Sequence, residues 1–166
     1  NRSHDNGEDG IFLSWRVQNG RFEDNQSWAN GRDGISLGHK DTDNHFFKNV
    51  VSGNARAGIY FRDETEPNAA HRNVFRENTI EDNGRPAAPG YGVQIEGATR
   101  HLTFESNTIR DTRPAERATQ HTGIYIGPSA DYVTSQRNIF STNLKHAIDD
   151  HSIGGNNQLE PPTAHR

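Results

Sequence analysis

The sequence predicts an all-β solenoid in which short strands from successive coils stack in parallel. Three observations carry that expectation: a strand motif recurs along the chain, a Phe/Asn signature follows each copy at a nearly fixed offset, and the basic period is 24 residues. So short a period has no room for two packed helices and their turns, and helical spacing of apolar residues is absent. Strands with Gly and Asn at the corners fit instead.

The motif is Asp33-Gly34-Ile35-Ser36-Leu37, with copies at Asp9-Gly10-Ile11-Phe12-Leu13, Ala57-Gly58-Ile59-Tyr60-Phe61, Tyr91-Gly92-Val93-Gln94-Ile95 and Thr122-Gly123-Ile124-Tyr125-Ile126. Each reads Gly, apolar, variable, apolar, so the two apolar side chains of one strand point the same way. Gly-to-Gly spacings are 24, 24, 34 and 31, and a degenerate copy at Ala147-Ile148 lies 24 further on.

The second signature is Phe22-x-x-Asn25-x-x-x-x-Asn30, repeated from Phe46 and Phe75, from Phe104 with Thr112 in place of the last Asn and, with Ser135 at its head, through Asn138 to Asn143. Its first Asn lies 15 residues after the Gly in four of five coils and 20 after it in the third. Stacking equivalent positions makes each apolar column continuous, with neighbouring strands about 4.8 Å apart. Two inward columns are Ile11, Ile35, Ile59, Val93, Ile124 and Leu13, Leu37, Phe61, Ile95, Ile126; Phe22, Phe46, Phe75, Phe104 form a third and Val51, Ile80, Ile109, Phe140 a fourth. The repeated Asn residues are expected to form an internal ladder, because an unpaired buried amide is costly.

Composition narrows the function classes. Only 30% of residues are hydrophobic and 16 are Gly, which suits a narrow shared core better than a deep one. A net charge of -4 with no polybasic run points away from nucleic acid. With no Cys there is no disulfide framework or thiolate nucleophile. No apolar segment is long enough for a membrane span, and a Walker loop, a GxSxG elbow and a dinucleotide fingerprint are all absent.

The expected domain is residues 1–153, with 154–166 as a C-terminal extension that leaves the repeat at Gly154-Gly155-Asn156-Asn157 and Pro161-Pro162. Asn1 and Asn6 fall where Asn25 and Asn30 fall, so the chain is expected to start inside a coil, as a segment of a longer protein. Insertions decorate coil three (around Arg62 to Arg72, and Gly84 to Tyr91) and coil four (around Arg113 to His121).

These repeats resemble the right-handed parallel β-helix shared by pectate lyases, other polysaccharide lyases, some glycoside hydrolases, alginate epimerases and many secreted proteins. The resemblance covers residues 1 to 153 and implies a single right-handed parallel β-helix of about six coils, located outside the cytoplasm. It is specific for the fold and unspecific for activity.

Function is to be sought where the copies differ. The residue between the two inward ones is Phe12, Ser36, Tyr60, Gln94 or Tyr125, and the following turns place Trp15, Arg16, His39, Lys40, Asp41, Asp43, Tyr60, Arg62, Asp63 and Glu64 within three adjacent coils. Exposed aromatic rings suit sugar rings and cations suit the carboxylates of an acidic polysaccharide. Substrate-binding candidates are therefore Trp15, Arg16, Tyr60 and Tyr125. The resemblance implies proton abstraction beside a uronate carboxylate, as in a lyase or C5-epimerase. On that reading Lys40 is the candidate base, Arg62 or His39 the second proton-handling group, and Asp41, Asp43, Asp63 and Glu64 candidate ligands for Ca²⁺.

Three alternatives stand beside it. A glycoside hydrolase would pair Asp63 or Glu64 with Asp41 or Asp43. Lys40/Asp41 and Arg62/Asp63 would be weak exposed ion pairs in a non-catalytic glycan-binding or adhesin scaffold, and no complete catalytic motif of the resembled families is present. The compact His146 to His151 group is metal-like in composition but reads first as polar capping at the end of the solenoid.

Overall fold

A computed structural model describes residues 1–141, 144–161 and 163–164; Asn143 of the repeated signature and Pro162 of the tail lie outside the described residues. The chain is a right-handed parallel β-helix, and its described residues form three long sheets and two short 3-10 turns.

The glycine-led motif builds the first sheet, with parallel strands Ile11–Phe12, Ile35–Leu37, Ala57–Phe61, Ala88–Ile95, Gln120–Ile126 and His146–Asp150. The phenylalanine sheet runs through Arg21–Glu23, His45–Phe47, Val74–Arg76, Thr103–Glu105, Thr134–Gln136 and Gln158–Leu159. A closing sheet contains Arg2–His4, Gln26–Trp28, Val50–Ser52, Thr79–Glu81, Thr108–Arg110, Ile139–Phe140 and Thr163–Ala164. Register follows the repeat: Phe22, Phe46, Phe75 and Phe104 pair in succession, as do Ile35, Ile59, Val93 and Ile124. The four Phe rings stack at centroid distances of 4.6, 4.4 and 5.2 Å, and the expected inward columns are buried, with Ile11 and Phe22 partly so.

The corners explain how so polar a chain closes. Left-handed residues recur in columns: Asn19, Asp43, Arg72, His101, Tyr132 in one, Asp24, Lys48, Glu77, Ser106, Arg137 in a second, and Asp5, Ala29, Gly53, Asp82 in a third. Each L residue there costs about 1–2 kcal/mol. The cost is offset because its N–H stays in the ladder, as when Lys48 N donates to Arg76 O at 3.2 Å and Glu77 N to Glu105 O at 3.2 Å. In the second column an Asn follows directly. Asn25, Asn49, Asn78, Asn107 and Asn138 form the internal ladder, each Asn Nδ2 donating to the Oδ1 of the next at 2.9 Å. A parallel ladder joins Asn6, Asn30, Asn54 and Asn83, and ends on Gln120, whose longer side chain accepts from Asn83 Nδ2 at 2.7 Å.

The tail departs from expectation. Gln158 and Leu159 pair with Thr134 and Ser135, and Thr163 and Ala164 with Ile139 and Phe140, so the repeat continues past residue 153. The physical reason is register: Asn157 lies 24 residues after Val133 and accepts its N–H at 2.8 Å, while Leu159 enters the Phe column. Gly154 fits because a side chain there would collide with Asp131, which Asn156 grips.

The insertions border the glycine-led sheet on both sides. Before its strands lie a hairpin, with Gly84–Arg85 antiparallel to Ala88–Pro89, and the segment carrying the 3-10 turn Ala115–Arg117; after strand Ala57–Phe61 comes the turn Glu66–Asn68. Asp111 anchors the second insertion, its Oδ2 accepting from Thr119 N at 2.9 Å and Gln120 N at 2.8 Å. Among the described residues no helix is long and apolar enough to cross a membrane.

Candidate functional site

Where the first two glycine-led strands end, the chain breaks its own corner rule. Trp15 and Arg16 (φ 72° and 67°) lie directly over His39 and Lys40 (φ 45° and 63°), two left-handed residues in a row in each coil. Such doublets cost more than the fold's ordinary corners, and strain of this kind concentrates at functional sites. The stack holds because Arg16 N donates to His39 O at 2.9 Å and Lys40 N to Asn68 O at 2.8 Å.

The doublets turn their side chains outward. Trp15 is 66% exposed, its ring stacked on His39 at 5.2 Å, and the Arg16 guanidinium lies 5.9 Å from its centroid. His39 Nδ1 contacts Glu64 Oε1 at 2.6 Å, which leaves Nε2 as the open ring nitrogen. Trp15, Arg16, His39, Lys40 and Asn68 line a small cleft of about 90 Å³. Among the described residues no carboxylate pairs with Lys40.

Asp41 and Arg62 hold this turn from beneath. Asp41 is fully buried; its Oδ1 accepts from Val17 N at 2.9 Å and its Oδ2 from Gly38 N at 3.1 Å and Arg62 Nη2 at 3.4 Å. Arg62 also donates to Ser36 Oγ at 3.1 Å and Leu13 O at 2.9 Å and lies over the Phe12 ring at 4.4 Å, spanning three coils. Gly38 makes room for it, since a Cβ there would sit 2.5 Å from Arg62 Nε. Arg62 is thus a strut rather than an open proton-handling group, and Ser36, expected on the solvent face, is 1% exposed beneath it.

The remaining expected residues are dispersed. Tyr60 is covered by the Arg56 guanidinium at 3.9 Å, which Asp33 holds through Nε at 2.9 Å. Burial raises the Tyr60 phenol, and burial outweighs Arg56 in raising the Asp33 carboxyl. Tyr125 lies at the far end of the outward row, 5.5 Å from both Tyr91 and His151, with its phenol raised by burial. It does not join the Trp15 cluster. In the His146 to His151 group, His151 Nε2 contacts Asp149 Oδ1 at 2.9 Å.

The four carboxylates expected to hold Ca²⁺ do not assemble either. Asp41 is buried in the turn, Glu64 is on His39, and Arg72 chelates Asp43 at 2.7 and 2.8 Å, holding that carboxyl below its usual range; Asp63 stands exposed. Among the described residues no three His, Cys, Asp or Glu side chains are placed to hold a metal ion. Sequence reasoning missed Asn68 and Gly38. The coil-three insertion signalled the first, and the Gly before His39-Lys40 signalled the second.

A family profile described as "Periplasmic copper-binding protein (NosD)" matches residues 1–121. No curated protein matches. Among solved structures, the periplasmic alginate epimerase AlgG is similar at a TM-score of 0.61 and 16% identity, over 99% of this chain and 36% of that one. The Azotobacter vinelandii mannuronan C-5 epimerase AlgE4 A-module is similar at 0.60 and 16% identity, over 96% of this chain and 56% of that one. The chain therefore spans roughly a third to a half of these proteins, and at this identity the likeness is one of fold.

Proposed function

The chain belongs to the family of the periplasmic copper-binding protein NosD, and on that footing we propose that it is an extracytoplasmic β-helix that engages an acidic, uronate-containing polysaccharide at the Trp15, Arg16, His39 and Lys40 turn. The observation that carries this reading is the strained double turn, which presents an open indole beside two cations that no acid of the turn neutralises. A sugar ring stacks on the indole while Arg16 and Lys40 meet the carboxylate. The alginate epimerases that share the fold act on such a polymer, which supports the class of ligand.

The same cluster has the groups for proton abstraction at C5. In place of Lys40, the base expected from the sequence, His39 takes the proton on its open Nε2, because Glu64 on Nδ1 steadies the imidazolium, and Arg16 and Lys40 offset the enolate-like charge. Return of a proton from solvent to the opposite face gives the epimer; cleavage of the C4–O bond, with solvent protonating the departing sugar oxygen, gives the unsaturated lyase product. Non-catalytic binding at the same turn is the second reading, favoured by the commitment of Arg62 to the fold.

Copper, named in the family's description, does not fit these residues. The chain has no Cys and no Met, so the soft ligands that select copper(I) are missing, and no His/carboxylate cluster replaces them among the described residues. No step is drawn through a metal.

Affinity electrophoresis in alginate and pectate gels tests the binding, with a neutral glucan as control. Retarded migration that is lost in Trp15→Ala and in Lys40→Ala is expected; unchanged retardation in both variants removes the turn as the site. Unsaturated-uronate absorbance and the proton spectrum of treated alginate test the chemistry. A product that His39→Ala abolishes is expected of an enzyme, and its absence in the wild type leaves the binding reading.

A further inference from the structure

A second aromatic platform lies further along the same border of the helix. Tyr132 is 43% exposed and its phenol ring stacks on the exposed His101 imidazole at 4.7 Å and 24°, as the Trp15 indole stacks on His39 at 5.2 Å and 29°. Both pairs occupy the connection that leaves a glycine-led strand and enters a phenylalanine strand. Trp15/His39 bridges the first and second coils, and His101/Tyr132 the fourth and fifth. All four residues are left-handed: His101 and Tyr132 sit in the corner column that also holds Asn19, Asp43 and Arg72, and Trp15 and His39 lie four residues before that column in their own coils.

The segment between the two platforms is continuous. The coil-three insertion supplies Asn68 to the first cleft and His71 to the second platform, where His71 Nδ1 accepts from Arg100 N at 3.1 Å. Arg100 carries a buried Nε with no hydrogen-bond partner, and its Nη1 is only 3.9 Å from Glu66, so its cation is weakly satisfied by the protein. At one rung per strand spacing, the platforms are three rungs apart, about 14 Å along the axis.

Resting on the proposed glycan engagement, we infer that His101 and Tyr132 form a second sugar subsite, so that a uronate chain runs obliquely along the helix, from Trp15 across the coil-three insertion to Tyr132. The occupant is a polymer several sugar units long. A ligand of one or two units reaches a single platform only.

Sodium alginate fractions of defined length test this by titration calorimetry on the full chain. Trp15→Ala is expected to weaken long and short fractions alike. Tyr132→Ala is expected to weaken long fractions roughly threefold to tenfold, the scale of one aromatic stack, and to leave disaccharides unchanged; Tyr132→Phe keeps the platform and restores long-chain affinity. If Tyr132→Ala binds long chains as the wild type does while Trp15→Ala does not, the second subsite is wrong and the first stands. Equal losses on long and short chains in Tyr132→Ala also overturn it. Wild-type affinity in Trp15→Ala overturns the underlying function itself.

Discussion

Gly38→Ala separates a steric account of the double turn from a conformational one. Gly38 has no left-handed φ, so replacing it would ordinarily stabilise the chain by about 0.4–1 kcal/mol by restricting the unfolded state. The geometry reverses that sign. The new Cβ would lie 2.5 Å from Arg62 Nε and 2.8 Å from Cζ, and the guanidinium must leave its place. It then forfeits its bonds to Ser36 Oγ and Leu13 O and its contact with Asp41. Hydrogen bonds to a charged group contribute about 1.5–3 kcal/mol each, but a displaced guanidinium recovers part of that in water, so a net loss of about 2–4 kcal/mol is expected. Urea unfolding followed by tryptophan fluorescence and circular dichroism measures it. The cycle with Arg62→Ala decides the cause: once the guanidinium is gone, Gly38→Ala should cost nothing or stabilise slightly. An equal cost in both backgrounds refutes the strut.

Asn78→Ala removes the acceptor of both Asn49 N and Asn49 Nδ2 and the donor to Phe46 O, and should cost about 3–5 kcal/mol by leaving buried groups unpaired, read as a fall in the urea midpoint. Phe75→Ala opens the centre of the ring stack and should cost about 3–5 kcal/mol, whereas Phe22→Ala, partly exposed at the end of it, should cost visibly less in the same assay. At Asp111, burial alone would raise the carboxyl, but Arg113 and the N–H groups of Gln120, Arg113 and Thr119 prevail and bring it down to about 2. Its folded value lies below the unfolded one, so its contribution of about 2 kcal/mol is present above pH ~4 and is lost as pH falls toward ~2; Asp111→Asn should flatten the acid limb of the stability curve. Adding Ca²⁺ should leave the melting temperature unchanged, since Asp41, Asp43 and Glu64 are each otherwise engaged.

The scaffold was legible because one period fixes everything that repeats. Phe46, Asn49 and Ile59 each recur at equivalent positions of neighbouring coils, and hydrophobic burial and amide pairing act between those neighbours. The tail was misread because Gly154-Gly155 and two prolines look like a stop, although Asn157 and Leu159 keep the 24-residue offset from Val133 and Ser135. At the site, spacing brought Trp15, Arg16, His39 and Lys40 together correctly but did not indicate which charges were spoken for. Asp41 and Arg62 read as surface residues by type, and only the three-dimensional path of Arg62 across Gly38 shows them to be internal. Tyr60 likewise reads as an open ring until Arg56 is seen to cover it.

The left-handed corners set a gauge along the stack. From Asn19 to Asp24, Asp43 to Lys48, Arg72 to Glu77, His101 to Ser106 and Tyr132 to Arg137 the step is five residues in every coil, although the coils themselves run from 24 to 34. All slack in chain length is therefore taken up at two seams, one on each flank of the glycine-led sheet. A loop can be lengthened, shortened or grafted at either seam without retiming the rungs. One face of this rod can thus be re-tooled for a new ligand while the other two keep the metre.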